Sequence, residues 1–138
     1  MNRQILTASL AAIAVGGLDP LARSETISST LSNAVSGAQV AEADTLLSAS
    51  FTTGDNPTPL RQITLLLART SASGTASLRV YDDNGFEPGN LVGTLVSPST
   101  YGDGYAYATF NGIGLELDPQ TKYWVVLSSE DGGTFEWA

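Results

Sequence analysis

The stretch that most limits the fold of this chain is Thr-Lys-Tyr-Trp-Val-Val-Leu, which ends at Leu127. It is the densest run of β-branched and aromatic residues in the sequence. In a strand, Tyr123, Val125 and Leu127 lie on one face, and Trp124 and Val126 lie on the other. A strand that is apolar on both faces belongs in the middle of a sheet, covered above and below. The sequence therefore predicts a central strand here, with the rest of the chain supplying its neighbours and its cover.

The size and composition of the chain favour one folded domain. With 138 residues and a hydrophobic fraction of 42%, it is long enough to bury a sizeable core but too short for two domains. It has 14 Gly and 6 Pro residues, a composition that suits many short strands joined by tight turns.

Charge and missing residue types exclude several classes of function. Six basic and fourteen acidic residues give a net charge of −8, which opposes binding to nucleic acid or to anionic membranes. The chain has no Cys and no His, which excludes disulfides, thiolate nucleophiles, His-based triads and the usual zinc or haem ligands. No motif orders a nucleophile, a base and an oxyanion site, so we expect no enzymatic activity.

Residues 1–17 have the pattern of a secretory signal peptide. Arg3 supplies the positive charge, residues 5–15 form an apolar run, and Ala12-Ile13-Ala14 resembles a cleavage site with Gly16-Gly17 just beyond it. The apolar run is too short to span a bilayer. We therefore expect a helical signal segment, no membrane insertion of the mature chain, and an extracellular or cell-surface location.

Residues 18–43 are rich in Ser, Thr and Ala and carry two conflicting patterns. Ile27, Leu31 and Val35 recur at helical spacing, whereas residues 26–31 have the composition of a strand. We favour a flexible N-terminal segment that carries an edge strand.

Residues 44–138 alternate apolar and polar positions between turns rich in Gly, Pro, Asn and Asp. Turns are expected at residues 54–59, 71–74, 82–85 and 128–133, and a type II turn at Pro88-Gly89. These signals predict an all-β fold, an antiparallel β-sandwich of jelly-roll type. Its roughly eight strands are expected at residues 46–51, 60–68, 75–81, 91–96, 105–110, 115–117, 121–127 and 134–137.

Several short motifs resemble the choice-of-anchor R domain of bacterial exported proteins, and the resemblance covers roughly residues 31–137. The motifs are Leu31-Ser32-Asn33, Phe51-Thr52-Thr53-Gly54, Tyr81-Asp82-Asp83-Asn84-Gly85, Pro88-Gly89 and Thr121-Lys122-Tyr123-Trp124.

This resemblance implies a secreted or surface-displayed module without established catalytic residues, often joined to a C-terminal sorting anchor such as PEP-CTERM. The chain departs from the family pattern at its end. No anchor helix follows, and the chain stops just after the strand at residues 134–137, where the family continues into a closing strand. We therefore expect a sandwich domain at residues 44–138 that lacks this closing strand.

One acidic turn has the oxygen ligands that a Ca²⁺ site needs: Asp82, Asp83, Asn84 and Glu87. The alternating acidic loop with a distant bidentate Glu is missing, and Asx-rich turns are common because Asn and Asp tolerate turn geometry. We therefore expect no cofactor, with calcium at this turn as the alternative.

A second group predicts carbohydrate binding. Tyr101, Tyr105 and Tyr107 are placed to form an aromatic platform for a sugar ring, with Asp103 and Asn111 as hydrogen-bond partners. The competing interpretation is that exposed Tyr is an ordinary residue on the wet face of a strand.

Three functions follow from these patterns. The first is a secreted or surface-displayed, non-catalytic structural or adhesive module of the bacterial envelope or extracellular matrix. The second is a carbohydrate-binding, lectin-like domain. The third is a filament subunit that self-associates through a β-edge, with residues 24–35 donated as a strand to a neighbouring molecule.

Overall fold

The computed structural model describes residues 4–7, 12–15, 25–29, 39–42, 44–102 and 104–138, and all regular structure in them is β-strand. The strands are β1 (Gln4–Thr7), β2 (Ala12–Val15), β3 (Glu25–Ser29), β4 (Gln39–Ala41), β5 (Thr45–Thr52), β6 (Thr58–Arg69), β7 (Thr75–Asp83), β8 (Pro88–Thr94), β9 (Ala106–Asn111), β10 (Glu116–Leu117), β11 (Lys122–Glu130) and β12 (Phe135–Trp137).

The first sheet has the order β1-β5-β11-β7-β8 and is built around β11. Strand β11 pairs antiparallel with β5 on one side and with β7 on the other. Five consecutive residues of β11, from Tyr123 to Leu127, are buried. The prediction of a central strand that is apolar on both faces is thus confirmed.

The second sheet is built around β6, the longest strand. One edge of β6 pairs with β9 and β10, and the other edge pairs with β2 and β12. Outside these, β3 pairs with β2 and β4 pairs with β12. Every ladder of this sheet is antiparallel, whereas the β1–β5 ladder of the first sheet is parallel.

One core lies between the two sheets. Strand β11 contributes Tyr123, Val125 and Leu127, and β12 contributes the fully buried Phe135 and Trp137. Burying a large apolar side chain contributes about 1.5–3 kcal/mol, so the short β12 matters more to stability than its length suggests.

Hydrogen bonds fix the start of β11 to the end of β5. The Thr53 hydroxyl donates to the Asp118 carbonyl at 2.6 Å and accepts from the Thr121 backbone N–H at 2.9 Å. The Tyr123 hydroxyl accepts from the Asp118 N–H at 2.9 Å. The turn between β10 and β11 is therefore held by the side chains of Thr53, which follows β5, and of Tyr123 in β11.

The predicted bounds of three strands were wrong. Strand β8 begins at Pro88, where we expected a type II turn, and it ends at Thr94. Strand β6 begins at Thr58, inside the expected turn, and β11 continues to Glu130. Proline is tolerated in β8 because that strand lies at the edge of its sheet, where one side of the backbone has no ladder to complete.

The N-terminal segment differs from the expected helix. Its described residues form β1, which pairs with β5, and β2, which pairs with β6. These strands cover backbone edges of β5 and β6, and that pairing favours extended backbone over helix. Arg3, Gly16-Gly17 and Leu31-Ser32-Asn33 lie outside the described residues.

Candidate binding face

The outward side chains of β9, β6 and β12 form one surface, which we call the tyrosine face. Its members follow from the alternation of side chains along each strand. The residues that point into the core are Ala108 and Phe110 of β9 and Ile63, Leu65 and Leu67 of β6. The residues between them point outward. The tyrosine face consists of Tyr105, Tyr107, Thr109 and Asn111, then Gln62, Thr64, Leu66 and Ala68, and finally Glu136.

Two aromatic rings are exposed at one end of this face. Tyr105 is 43% exposed and Tyr107 is 59% exposed. The Tyr105 hydroxyl lies 2.6 Å from Oε2 of Glu136, to which it donates. Since Glu136 is paired with Ala68, the Tyr105 side chain reaches across β6 to β12. This donated bond is the main reason why the pKa of Tyr105 is raised, and it holds the ring in a fixed position.

Hydroxyl and amide groups continue along the same face from the rings. Thr64 and Thr109 face each other across the β6–β9 ladder, with their hydroxyl oxygens 3.0 Å apart. Gln62 and Asn111 form the neighbouring pair, and both are exposed. The backbone of Asn111 exchanges two hydrogen bonds with Val96, of 3.0 Å and 2.7 Å, so its amide extends from a fixed main chain.

Tyr101 does not belong to the face, which corrects the predicted aromatic platform. Its hydroxyl accepts from the Ala76 N–H at 3.0 Å, and its ring lies 4.9 Å from that of Phe135. Burial is the main cause of the raised pKa of Tyr101. The residue closes one end of the core because its hydroxyl finds a backbone partner there. Of the predicted sugar-binding residues, Tyr105, Tyr107 and Asn111 lie at successive positions along one face, whereas Asp103 lies outside the described residues.

The predicted calcium ligands are divided between two sides of β7. Asp82 and Asp83 are consecutive strand residues, so their side chains point to opposite faces. The Asp82 carboxylate accepts from the backbone N–H of Asn90 and, at 3.3 Å, from its side-chain amide. The Asp83 carboxylate accepts from the indole N–H of Trp124 at 2.7 Å. The pKa of Asp83 is lowered, chiefly by this bond and to a smaller extent by the positive charge of the nearby Lys122.

The other two predicted ligands close the β7–β8 turn. The backbone N–H of Asn84 donates to the Glu87 carbonyl at 3.0 Å, and its amide donates to the Glu87 carboxylate at 3.4 Å. Across the part of the chain that the structure describes, no three acidic side chains gather as a metal site would need. The carboxylates of this turn serve turn geometry and the cover of Trp124.

Four polar residues of the tyrosine face were not among the predicted site residues: Gln62, Thr64, Thr109 and Glu136. Their outward positions follow from the alternation of apolar residues in β6 and β9. Their proximity depends on the pairing of β6 with β9 and β12, which no local pattern reveals.

Among the described residues, no helix has the length and apolar character required to cross a bilayer. Comparison with protein-family models, with characterised proteins and with solved structures finds no match to this chain.

Proposed function

We propose that this protein is an exported, non-catalytic adhesive module that binds neutral glycans through the tyrosine face. The observation that carries the proposal is that Tyr105, Tyr107, Asn111 and two threonine hydroxyls share one β-sheet surface. Exposed aromatic rings next to fixed polar groups are the combination that lectin-like sandwiches use.

The chemistry of the face suits a sugar. The apolar C–H side of a pyranose ring stacks on an aromatic ring, while its hydroxyls bond to amides and hydroxyls. Tyr loses little side-chain entropy on binding because it has only two rotatable angles, and Tyr105 is already held by Glu136.

The charge distribution favours a neutral glycan over an acidic one. Glu136 is the only charged residue of the tyrosine face, and the whole chain has a net charge of −8. An anionic polysaccharide would therefore be repelled. The proposal includes no metal, because the acidic turn uses its oxygen atoms within the turn and on Trp124.

Export and surface display belong to the same proposal, and two observations support them. The N-terminal pattern around Arg3 is that of a signal peptide. Successive strands from β5 to β12 also pass repeatedly between the two sheets, as in the jelly-roll sandwiches of many lectins.

The proposal is tested on a glycan array with Tyr105→Ala and Tyr107→Ala. We expect binding to at least one class of neutral glycan, and a loss of affinity of about tenfold or more for each variant, which corresponds to about 1.4 kcal/mol. Phe86→Ala is the matched control, because Phe86 is 97% exposed at the β7–β8 turn, away from the tyrosine face. The proposal is wrong if the protein binds no glycan, or if both tyrosine variants bind as well as Phe86→Ala.

A second candidate function is self-assembly by strand donation. It is favoured by one specific observation, the divided edge of β6, whose consequence is developed below.

A further inference from the structure

One edge of β6 is completed by two unrelated parts of the chain. Strand β12 covers Leu67, Ala68 and Arg69, and β2 covers the part from Leu60 to Thr64. Strand β2 lies inside residues 1–17, the segment that the sequence marks as a signal peptide. Removal of that segment leaves β6 with an uncovered edge in the middle of its sheet.

The uncovered backbone groups can be identified. The Leu66 carbonyl accepts from the Ala138 N–H at 3.1 Å on the β12 side, whereas the Arg61 carbonyl accepts from the Gly112 N–H at 2.7 Å on the opposite side. Alternate residues of a strand direct their N–H and C=O groups to the same side. Gln62 and Thr64 therefore direct theirs toward β2, and loss of β2 leaves these groups as an open edge that another strand can pair with.

The sequence contains a segment that matches this edge. Strand β3 pairs only with β2 among the described ladders, so it loses its partner in the same event. Its single large apolar residue, Ile27, stands between Thr26 and Ser28. The acceptor edge has the same alternation, with the buried Ile63 between Gln62 and Thr64.

Strand direction favours a donor from a second molecule. Because β2 is antiparallel to both β3 and β6, β3 runs parallel to β6 in the intact chain. If β3 of the same molecule shifted across, it would form a parallel ladder, which is slightly less stable. A strand from another molecule is free to enter antiparallel, like every other ladder of this sheet.

We propose that cleavage of the signal segment converts the β6 edge at Leu60–Thr64 into an acceptor site for Glu25–Ser29 of a second copy of this chain. The proposal rests on the exported state proposed above and adds to it a trigger and an assembly site. Assembly leaves the tyrosine face of each copy outward, so it multiplies glycan sites along the assembly.

The experiment uses the full chain with a site for a sequence-specific protease inserted between Gly17 and Leu18. The intact protein is expected to be monomeric by light scattering, with slow hydrogen exchange at the Gln62 and Thr64 amides. After cleavage we expect a mass at least twice that of the monomer, with both amides still protected.

Donor variants identify the entering strand. Ile27→Asp is expected to leave the cleaved protein monomeric, with at least tenfold faster exchange at Gln62 and Thr64. Ile27→Val is expected to assemble like the parent chain. Because β3 lies at the end of its sheet and pairs only with β2, neither change removes a residue of the described core.

Three results would overturn the proposal. In the first, the cleaved parent chain stays monomeric and the Gln62 and Thr64 amides exchange rapidly, which means that no strand has been donated. A cleaved monomer with protected amides has closed its own edge or has kept the released segment. In the third, the cleaved Ile27→Asp variant assembles as much as the cleaved Ile27→Val variant, which means that the copies meet through another surface. None of these results concerns export itself, which is scored separately by the mass of the secreted protein and by glycan binding.

Discussion

The two outward faces of the sandwich use aromatic residues in opposite ways. On the first sheet, Trp124 is only 7% exposed although it points away from the core. Its indole N–H bonds to Asp83, and the ammonium of Lys122 lies 4.8 Å from the ring centroid. On the second sheet, Tyr107 is 59% exposed.

The difference shows how a sheet surface becomes either a structural cover or a binding surface. Around Trp124, charged side chains supply cover, because Lys122 lies over the ring and 3.5 Å from Asp83. Further along the same sheet, Arg79 lies 3.2 Å from Glu130. Charged side chains have long apolar stems that shield an aromatic ring while their charges remain in water. On the tyrosine face, by contrast, Tyr105 is 43% exposed and Tyr107 is 59% exposed, so a ligand from solution can reach both rings.

The largest expected effect is on the closed face. Trp124→Ala should lower the free energy of unfolding by about 3–5 kcal/mol, because it removes a large buried side chain and leaves the Asp83 carboxylate without its indole partner. Tyr107→Ala should change stability by no more than about 0.5 kcal/mol, as is usual for an exposed position. Urea unfolding of both variants measures the contrast, and similar losses in the two would refute it.

A smaller change in stability is expected at acidic pH. The folded state lowers the pKa of Asp83, chiefly through the bond from Trp124, so the charged carboxylate stabilises the fold above its unfolded-state pKa of 3.8. That contribution is lost as the pH falls through the lowered value. Urea midpoints of the parent chain and of Asp83→Asn should therefore converge between about pH 5 and pH 2. A constant difference across that range would show that the carboxylate charge is not involved.

The smallest effect is expected at Tyr105. The bond to Glu136 raises the pKa of the Tyr105 hydroxyl, so the stability it contributes is complete below the unfolded-state value of 10 and is lost as the pH rises through the raised value. Tyr105→Phe should remove an alkaline component from the tyrosinate absorbance titration, with little change in stability at neutral pH. An unchanged titration curve would mean that the bond to Glu136 does not form in solution.

Local pattern was sufficient to predict the centre of the first sheet. The run from Tyr123 to Leu127 is apolar on both faces, and only an inner strand covered on both sides satisfies such a run. Alternation also gave the correct phase of β6, with Ile63, Leu65 and Leu67 directed inward. These results depend on neighbouring residues alone, which a sequence displays directly.

Which residues form the site depends on the pairing of strands that are distant in sequence, and a single sequence does not display that pairing. Tyr101 and Tyr105 lie four positions apart, yet the first turns inward to the backbone of Ala76 and the second reaches across β6 to Glu136. Both partners come from other parts of the chain. The N-terminal apolar run was equally ambiguous, because residues that suit a signal helix also suit a strand when an open edge is available.

The arrangement around β6 also bears on when the protein folds. Strand β6 has ladders to β2, β9, β10 and β12, and the last of these ends at Trp137, one residue from the end of the described chain. Contacts so distant in sequence form slowly, because loop closure precedes the stabilising contacts. We therefore expect the second sheet to stay incomplete until β12 is free to dock on β6.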